Sequence, residues 1–365
     1  MEGFVGVGRF QVGRTDRPGR VCRNKSRMKA GDSSGDGFQF DWDLMQKRIS
    51  KVRNEEEERE KQYSSNWKSG KAKQEVAAYL KEDYFRRLKL FGPKLISGSH
   101  TGSIHMFNLR NAKKEWSAAA HGFEVTALDF NGKYVVSGAV DGTVRLMSSK
   151  GEPLKLSSEA RHAGIVTMAQ LAVRYKRFFS GCVEGSLRAW DLSTGELLGK
   201  DKLPSGILCG SVVGKYVLLG CKSGCVEVYS ADKIQHVLSL KCFTSNVTCF
   251  QYDEDSDLLV AGGSNGDVTM WNLDSGEILL SFKAHKGPVM SLQWDKDKIV
   301  TGGRDGEINV WDTSLGKHRF AIGGYTAYLT TVQFDKYQLI TDGTNNVVVA
   351  HRFWSPSPPN GKPAS

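Results

Sequence analysis

The chain has 365 residues, of which 39% are apolar, 25% charged and 10% aromatic. This apolar fraction supplies a sizeable core, which excludes wholesale disorder, and the length allows two or three average domains or one large all-β domain. No stretch approaches the roughly eighteen uncharged apolar residues of a transmembrane helix, so no membrane span is expected. The seven cysteines are irregularly spaced, which argues against a disulfide scaffold and favours a reducing compartment.

The formal net charge of +10 is concentrated near the N-terminus. Residues 1–90 carry 21 Lys/Arg against 14 Asp/Glu, a surplus of 7, so residues 91–365 contribute only +3. Residues 1–31 alone hold eight basic and two acidic residues. The positive charge therefore belongs to a leader segment, and the body of the chain has no strong nucleic-acid signature.

Residues 1–37 are predicted to be a disordered basic leader. They are rich in Gly and Arg, show no hydrophobic periodicity, and cannot bury enough surface to offset their ordering entropy. A basic, acid-poor leader is also typical of organelle transit peptides. Two interpretations stay open: a transit peptide, which predicts a chloroplast (or mitochondrial) location, and a simple basic tail of a protein in the cytoplasm or nucleus.

The next predicted element is a helix with its linker, over residues 38–66. An apolar stripe recurs at i, i+3, i+7 and i+10, as one helical face requires: Trp42, Met45, Ile49 and Val52. Residues 53–62 are almost entirely charged, which predicts a solvated second half. The segment Asn66–Gly70 is expected to break the helix. A linker helix lying against its own domain is the main interpretation, and a partner-binding helix is the alternative.

From residue 67 to residue 354 the sequence repeats itself seven times. Each copy has a strand that ends in a small residue, usually followed by Gly. A polar turn comes next, and then a strand in which apolar and polar residues alternate. The repeated pairs are Ser97-Gly98, Ser137-Gly138, Ser180-Gly181, Leu219-Gly220, Ala261-Gly262, Thr301-Gly302 and Thr341-Asp342. A spacing of 39 to 43 residues with several strands per unit is typical of a β-propeller. We therefore predict an all-β, seven-bladed β-propeller.

Polar and aromatic residues also recur at fixed offsets within three of the repeats. A His precedes the first strand, a Ser or Thr lies in the second strand, an acid follows four residues later, and a Trp follows ten residues later. The sets are His285, Thr301, Asp305 and Trp311; His162, Ser180, Glu184 and Trp190; and His121, Ser137 and Asp141, where Met147 replaces the Trp. Trp271 holds the Trp position of a further repeat.

With Trp190-Asp191, Trp311-Asp312 and the near match Trp271-Asn272 at their strand ends, these repeats resemble those of the WD-repeat family. The resemblance implies that the His, Ser/Thr, Asp and Trp form a hydrogen-bonded tetrad inside a blade, where buried polar groups need partners. A His, a Ser and an Asp in one chain also fit a hydrolase triad. Because the set recurs in three repeats, we expect a structural role, no enzyme activity, no cofactor and no metal site.

A propeller must also pair its last edge strand. Residues 329–334, 337–342 and 346–353 supply three strands of the last blade, and the Pro-rich tail at 355–365 is expected to be disordered. The missing outer strand is predicted at residues 74–80. The Asn66–Gly70 segment resembles the Asn-Trp-x-x-Gly turn of F-box/WD-repeat proteins, although no Leu-Pro motif of an F-box precedes it. A substrate receptor of a ubiquitin ligase therefore stays open as an alternative.

The family resemblance places the residue before each turn Asp near the top of the central channel. The predicted partner-binding residues on this top face are His100, Lys222, Arg304, Tyr325 and Tyr328. We predict a scaffold that binds protein partners, of unknown identity, through the propeller faces. An RNA-associated factor that uses the basic leader is a further alternative, and its affinity for RNA would fall steeply with salt.

Overall fold

The structure is a computed structural model that describes residues 42–241, 243–325, 329–344 and 346–353. The predicted leader at 1–37 and tail at 355–365 lie outside these residues. The chain divides after Arg53 into two units, and the second contains every strand described below. Among the described helical residues, no segment is both long enough and apolar enough for a membrane span.

Helix α1 (Trp42–Ser69) is followed by strand β1 (Lys73–Tyr79), and then by the strands of seven blades in chain order. Blades 1 to 3 contain β2 (Phe85–Phe91), β3 (Lys94–Ser99), β4 (Ser103–Asn108) and β5 (Lys113–Ala119); β6 (Val125–Phe130), β7 (Tyr134–Ala139) and β8 (Val144–Ser148); and β9 (Val166–Ala172), β10 (Arg177–Cys182), β11 (Ser186–Asp191) and β12 (Leu197–Lys202). A short 3-10 helix, Val173–Tyr175, connects β9 to β10.

Blades 4 to 7 continue the same antiparallel order. They contain β13 (Ile207–Val213), β14 (Tyr216–Cys221), β15 (Cys225–Ser230) and β16 (His236–Lys241); β17 (Val247–Asp253), β18 (Leu258–Gly263), β19 (Asp267–Asn272) and β20 (Ile278–Lys283); β21 (Val289–Trp294), β22 (Lys298–Gly303), β23 (Ile308–Asp312) and β24 (His318–Ile322); and β25 (Val332–Phe334), β26 (Gln338–Thr344) and β27 (Val347–Arg352). The predicted seven-bladed β-propeller is confirmed.

The ring closes through β1, which pairs with the last strand of the described chain. β1 runs antiparallel to β27, from Lys73 opposite Arg352 to Tyr79 opposite Val347, with one irregularity between Val76 and Ala78. The sheet order β1-β27-β26-β25 makes β1 the outer strand of blade 7. Blade 7 therefore has four strands only because the early part of the chain supplies one, as predicted.

Helix α1 continues to Ser69, and it ends inside the segment Asn66–Gly70 that was expected to break it. Trp67 is 3% exposed and stacks on Phe353 with ring centroids 3.7 Å apart. The Asn66 Nδ2 donates to the Phe353 carbonyl at 2.8 Å. These adjacent residues contact blade 7 from the last helical turn, and the helix ends at Gly70, whose φ of +70° favours glycine.

In blades 1 to 6, the second strand carries a glycine because the neighbouring blade approaches closely. A Cβ on Gly262 would lie 2.8 Å from Cβ of Val289 in the next blade, and one on Gly302 would lie 2.7 Å from Val332 Cγ2. Blade 7 carries Asp342 at this position. Its buried carboxylate accepts hydrogen bonds from the Thr331 N–H at 3.1 Å and from the Thr330 hydroxyl, and burial raises its pKa to about 6.

Side-chain amides tie the inner strands of neighbouring blades together. The Gln251 side chain bonds both backbone polar groups of Trp294, at 2.8 and 3.2 Å, and Gln293 does the same with Phe334, at 2.6 and 2.9 Å. Gln333 forms the equivalent bond between blades 7 and 1, in which its Oε1 accepts from the Leu90 N–H at 2.6 Å. These bonds replace water at the channel wall and fix each blade against the next.

Blade 2 departs from the expected plan of four strands. Its sheet contains β6, β7 and β8, and the fourth strand is reduced to isolated bridges of Thr143 with Arg161 and of Met147 with Pro153. Pro153 has no N–H to donate to a ladder. The following residues turn towards blade 3, where the Ser157 N–H donates to the Gly195 carbonyl at 3.0 Å. The outer edge of blade 2 is therefore an irregular segment.

Replacing Trp67 by Ala should destabilise the propeller by about 3–5 kcal/mol, because the change removes a buried indole from the closure of the ring. The free energy of unfolding from urea denaturation measures the effect. Tyr79→Ala is the control, since Tyr79 lies at the end of β1 with 53% of its surface exposed and should cost about 0.5 kcal/mol. Equal losses in the two variants would contradict the role assigned to Trp67.

Candidate functional site

Blade 6 joins all four predicted tetrad residues. The His285 Nε2 lies 2.9 Å from the Thr301 hydroxyl, and its Nδ1 lies 3.0 Å from Asp305 Oδ1. The Trp311 indole N–H donates to the Thr301 hydroxyl at 3.2 Å. The set links the loop before the first strand, the second strand, the following turn and the third strand, so it fixes the internal geometry of one blade.

In blade 2 the residues at the same positions are linked through one additional side chain. The His121 Nε2 lies 2.8 Å from the Ser137 hydroxyl. Its Nδ1 lies 2.6 Å from the Thr143 hydroxyl, which in turn donates to Asp141 Oδ1 at 2.7 Å. Asp141 therefore reaches the imidazole through Thr143, a contact that the sequence pattern did not predict.

In blade 3 the structure joins three of the four predicted residues. The Ser180 hydroxyl bonds His162 Nε2 at 2.8 Å and accepts from the Trp190 indole N–H at 2.9 Å. The buried His162 Nδ1 has no hydrogen-bond partner among the described residues, and the exposed Glu184 lies beside Gly164, where a Cβ would be 2.8 Å from Glu184 Cγ. Glu184 is one methylene longer than the Asp of the other blades, and the prediction that it completes the tetrad is not supported by this geometry.

Blades 5 and 7 replace the tetrad with other contacts. In blade 5 the ring of Trp271 packs edge-on against Phe243 at 5.6 Å, and the second strand offers Ala261 where a hydroxyl is needed. In blade 7 the Tyr325 hydroxyl bonds His351 Nε2 inside the blade. The Tyr325 side chain is half-buried and structural, although its backbone lies at the top face, where a Cβ on Gly306 would be 2.7 Å from the Tyr325 carbonyl oxygen. The Tyr325–His351 pair was not predicted, because neither residue matches the family pattern.

The buried imidazoles are poor acid–base catalysts at neutral pH. Burial lowers the pKa of His121 to about 4 and that of His162 to about 3. Residues 262–266 have the Gly-x-Ser-x-Gly spacing of a hydrolase, but Ser264 lies in a turn between two strands instead of the strand-to-helix turn of a nucleophile elbow. The Ser264 hydroxyl instead accepts from the Asn246 N–H at 3.2 Å.

Backbone hydrogen bonds arrange the remaining predicted residues around the top of the channel. We use top face for the side with the turns between second and third strands, and bottom face for the opposite side. The N–H groups of His100, Lys222 and Arg304 donate to the residues that precede the first strands, namely the carbonyls of Tyr84, Gly206 and Pro288, at 2.9, 2.9 and 3.0 Å. The three predicted residues thus hold equivalent, exposed positions on blades 1, 4 and 6, while Tyr328 lies outside the described residues.

Blades 1 to 3 present exposed apolar side chains on the same face. This apolar arc consists of Tyr84, Phe123, Val140 and Ile165, which are 47%, 60%, 38% and 38% exposed. An acid within the arc, Glu124, bonds the exposed His100 at 2.9 Å and pairs with Arg86 at 3.4 Å. Phe123 and Ile165 are apolar residues in polar loops, and this feature could have identified them from the sequence. The repeat pattern did not take these loop residues into account.

The free energy of unfolding should fall as the pH decreases from about 6.5 to 4. Burial lowers the pKa of His121, His162 and His351 to about 4, 3 and 4, whereas an unfolded His titrates near 6.5, so unfolding takes up protons in this window. Asp342 opposes this trend, because its pKa is raised in the folded protein and it therefore releases about one proton on unfolding. We expect a net uptake of at least about two protons near pH 5, a slope of at least about 3 kcal/mol per pH unit, because burial also lowers the pKa of His105 and His285.

Urea denaturation between pH 4.5 and 7 measures this slope. His162→Gln should reduce the proton uptake by about one, because the amide keeps a polar group beside Ser180 but does not titrate. A slope in His162→Gln equal to that of the unchanged protein would mean that His162 does not titrate as described.

Comparisons with known proteins cover parts of the chain. The WD domain, G-beta repeat family model matches residues 113–147, and the model for the anaphase-promoting complex subunit 4 WD40 domain matches residues 219–297. The autophagy-related protein 16 of Arabidopsis thaliana is 23% identical over 211 residues, 55% of this chain and 41% of that protein. The p21-activated protein kinase-interacting protein 1-like of Danio rerio is 25% identical over 203 residues, 54% of each chain.

The eukaryotic translation initiation factor 3 subunit I of Nematostella vectensis is 27% identical over 189 residues, 48% of this chain and 58% of that protein. The matches thus span about half of these relatives. A solved structure, that of the computationally designed Ika8 protein, has a TM-score of 0.60 and 24% identity over 76% of this chain and 99% of its own, which shows the fold alone. The repeat matches, the seven blades and the recurring tetrad positions together support a WD-repeat β-propeller family for this chain.

Proposed function

We propose that the protein is a non-enzymatic scaffold that binds a protein partner on its top face, with the apolar arc as the main contact. The observation that carries this proposal is the exposure of two aromatic rings, Tyr84 and Phe123, beside the channel mouth. Exposed apolar patches next to polar groups mark interaction sites, and large aromatic anchors carry most of the binding free energy of such interfaces.

The arc is held rigidly, which lowers the entropic cost of binding. Its loops are fixed by backbone bonds such as Val140 N–H to the Glu124 carbonyl at 3.0 Å and Val183 N–H to the Ile165 carbonyl at 2.9 Å. A partner would therefore meet a preformed surface. Lys222 and Arg304, on blades 4 and 6 of the same face, favour an acidic residue in the partner beside its apolar anchor.

The relatives support an interaction role in general terms. One is named as an interacting protein of a kinase and another as a subunit of a translation initiation factor. Both descriptions are of proteins that work through contacts with other proteins. The identity of those partners does not carry over to this chain, because the matches cover only about half of each relative.

The top-face proposal is tested with Phe123→Ser and Arg304→Glu in affinity purification from the source tissue, followed by quantitative mass spectrometry. Both residues are exposed, so the fold should persist while a defined set of co-purifying proteins falls at least about tenfold. Leu315→Ser is the control, because Leu315 is 72% exposed on the bottom face. If the co-purifying set is the same in all three variants, the partner does not use the apolar arc.

We also propose the chloroplast as the compartment, on the composition of the leader alone. Removal of a transit peptide would leave a mature protein that begins beyond the basic residues 1–31. N-terminal sequencing of the protein isolated from its source measures this start. An intact start at Met1-Glu2-Gly3 would contradict cleavage and return the location to the cytoplasm or nucleus.

A further inference from the structure

On the bottom face, the turn between the third and fourth strands of one blade usually covers the outer strand of the blade before it. A Cβ on Gly316 of blade 6 would lie 2.7 Å from Leu280 of blade 5, and one on Gly151 of blade 2 would lie 2.8 Å from the ring of Trp116 in blade 1. Between blades 3 and 4, a Cβ on Gly199 of blade 3 would lie 2.9 Å from the Ile234 side chain of blade 4. These contacts close the seams, by which we mean the gaps between the outer parts of neighbouring blades.

The seam between blades 4 and 5 lacks this seal. Gly276 has the same turn geometry as Gly316, since each N–H donates at 2.9 Å to the carbonyl four residues earlier and each φ is positive. Nevertheless, a Cβ on Gly276 would have no neighbour within 4 Å among the described residues, and Leu238 on the outer strand of blade 4 is 42% exposed. The described residues therefore lack here the contact that closes those three seams.

A cleft of about 200 Å³ opens at this seam. Apolar side chains from both blades line it: Leu218, Val228, Leu238, Leu240, Tyr252 and Leu273. The volume is smaller than the roughly 300–1,000 Å³ of typical small-molecule sites. It suits one or two bulky side chains of another protein.

Carboxylates lie along the blade 5 side of the mouth of the cleft. Asp257 and Asp274 line it directly, and further acids lie in the same two turns of blade 5: Glu254, Asp255 and Glu277. The Asp257 carboxylate accepts a hydrogen bond from the Tyr252 hydroxyl at 2.7 Å, which orients it at the rim. In the part of the chain that the structure describes, none of these five acids is in an ion pair. The rim thus has negative charge that a cationic partner would neutralise.

We propose that this seam cleft binds a basic segment of a partner protein. One bulky apolar side chain of the segment fills the cleft against Val228 and Tyr252, and neighbouring Lys or Arg side chains pair with Asp257 and Asp274. The apolar anchor supplies affinity, while the carboxylates select a cationic sequence and speed its association. This site lies on the bottom side of blades 4 and 5, and is separate from the apolar arc on the top of blades 1 to 3.

A random dodecapeptide library displayed on phage tests the proposal directly. The full-length protein is the bait, and clones that also bind Leu238→Arg are removed, because this variant blocks the mouth and adds a positive charge beside Asp257 and Asp274. Enriched peptides should combine a Leu, Ile, Phe or Trp with at least two Lys or Arg. If no clone prefers the unchanged protein to Leu238→Arg, the seam cleft is not a binding site.

The enriched peptides are then synthesised and their affinities measured by fluorescence anisotropy. Asp257→Asn/Asp274→Asn should weaken binding at least about tenfold, and its fold should be kept, since Asn tolerates the positive φ of 54° at position 257. Two controls should bind like the unchanged protein: Leu198→Arg, on blade 3 with 43% exposure, and Glu152→Gln/Glu196→Gln, in the turns that follow the third strands of blades 2 and 3. Thermal unfolding checks that every variant is folded.

Two results would overturn the assignment. Peptides whose affinity is unchanged in Asp257→Asn/Asp274→Asn would show that the acidic rim does not select them. Peptides that lose binding in Phe123→Ser would belong to the apolar arc instead of the seam cleft. The same variant separates the two proposals, because failure of top-face binding leaves the peptide affinities untouched.

Discussion

The pairing of β1 with β27 is the contact on which the rest of the structure depends. It joins residues about 270 positions apart and completes the only blade whose strands are not contiguous in sequence. The Gln333 bond to Leu90 crosses the same junction between blades 7 and 1, so it is lost if the ring opens there. The buried Trp67 reinforces this junction from the helix, through its stacking on Phe353.

The features that follow from repetition were predictable from sequence. The small residue and glycine at the end of the second strand gave the number of blades, and the structure explains them by the close approach of the next blade, as at Gly262 and Val289. The closure strand was also predictable, since the last repeat lacked one strand. These features are local or periodic, so single-sequence patterns contain them.

The exceptions depend on tertiary contacts that no repeat pattern contains. Asp305 and Glu184 hold the same position, yet only the shorter acid reaches its imidazole. Tyr325 and His351 form a substitute pair that is visible only once both are placed in blade 7. The apolar arc and the seam cleft are defined by the absence of covering atoms around residues such as Phe123 and Leu238, and exposure is a property of the folded chain.

The order of synthesis has a consequence for the ring. β1 leaves the ribosome first among the strands, but its partner β27 follows about 270 residues later, which corresponds to roughly 15 to 50 seconds at 5–20 residues per second. During that interval the half-buried strand with Ala77 and Ala78 has no partner, while blades 1 to 6 are able to form one after another. The nascent propeller thus keeps an unpaired strand until its last strand emerges.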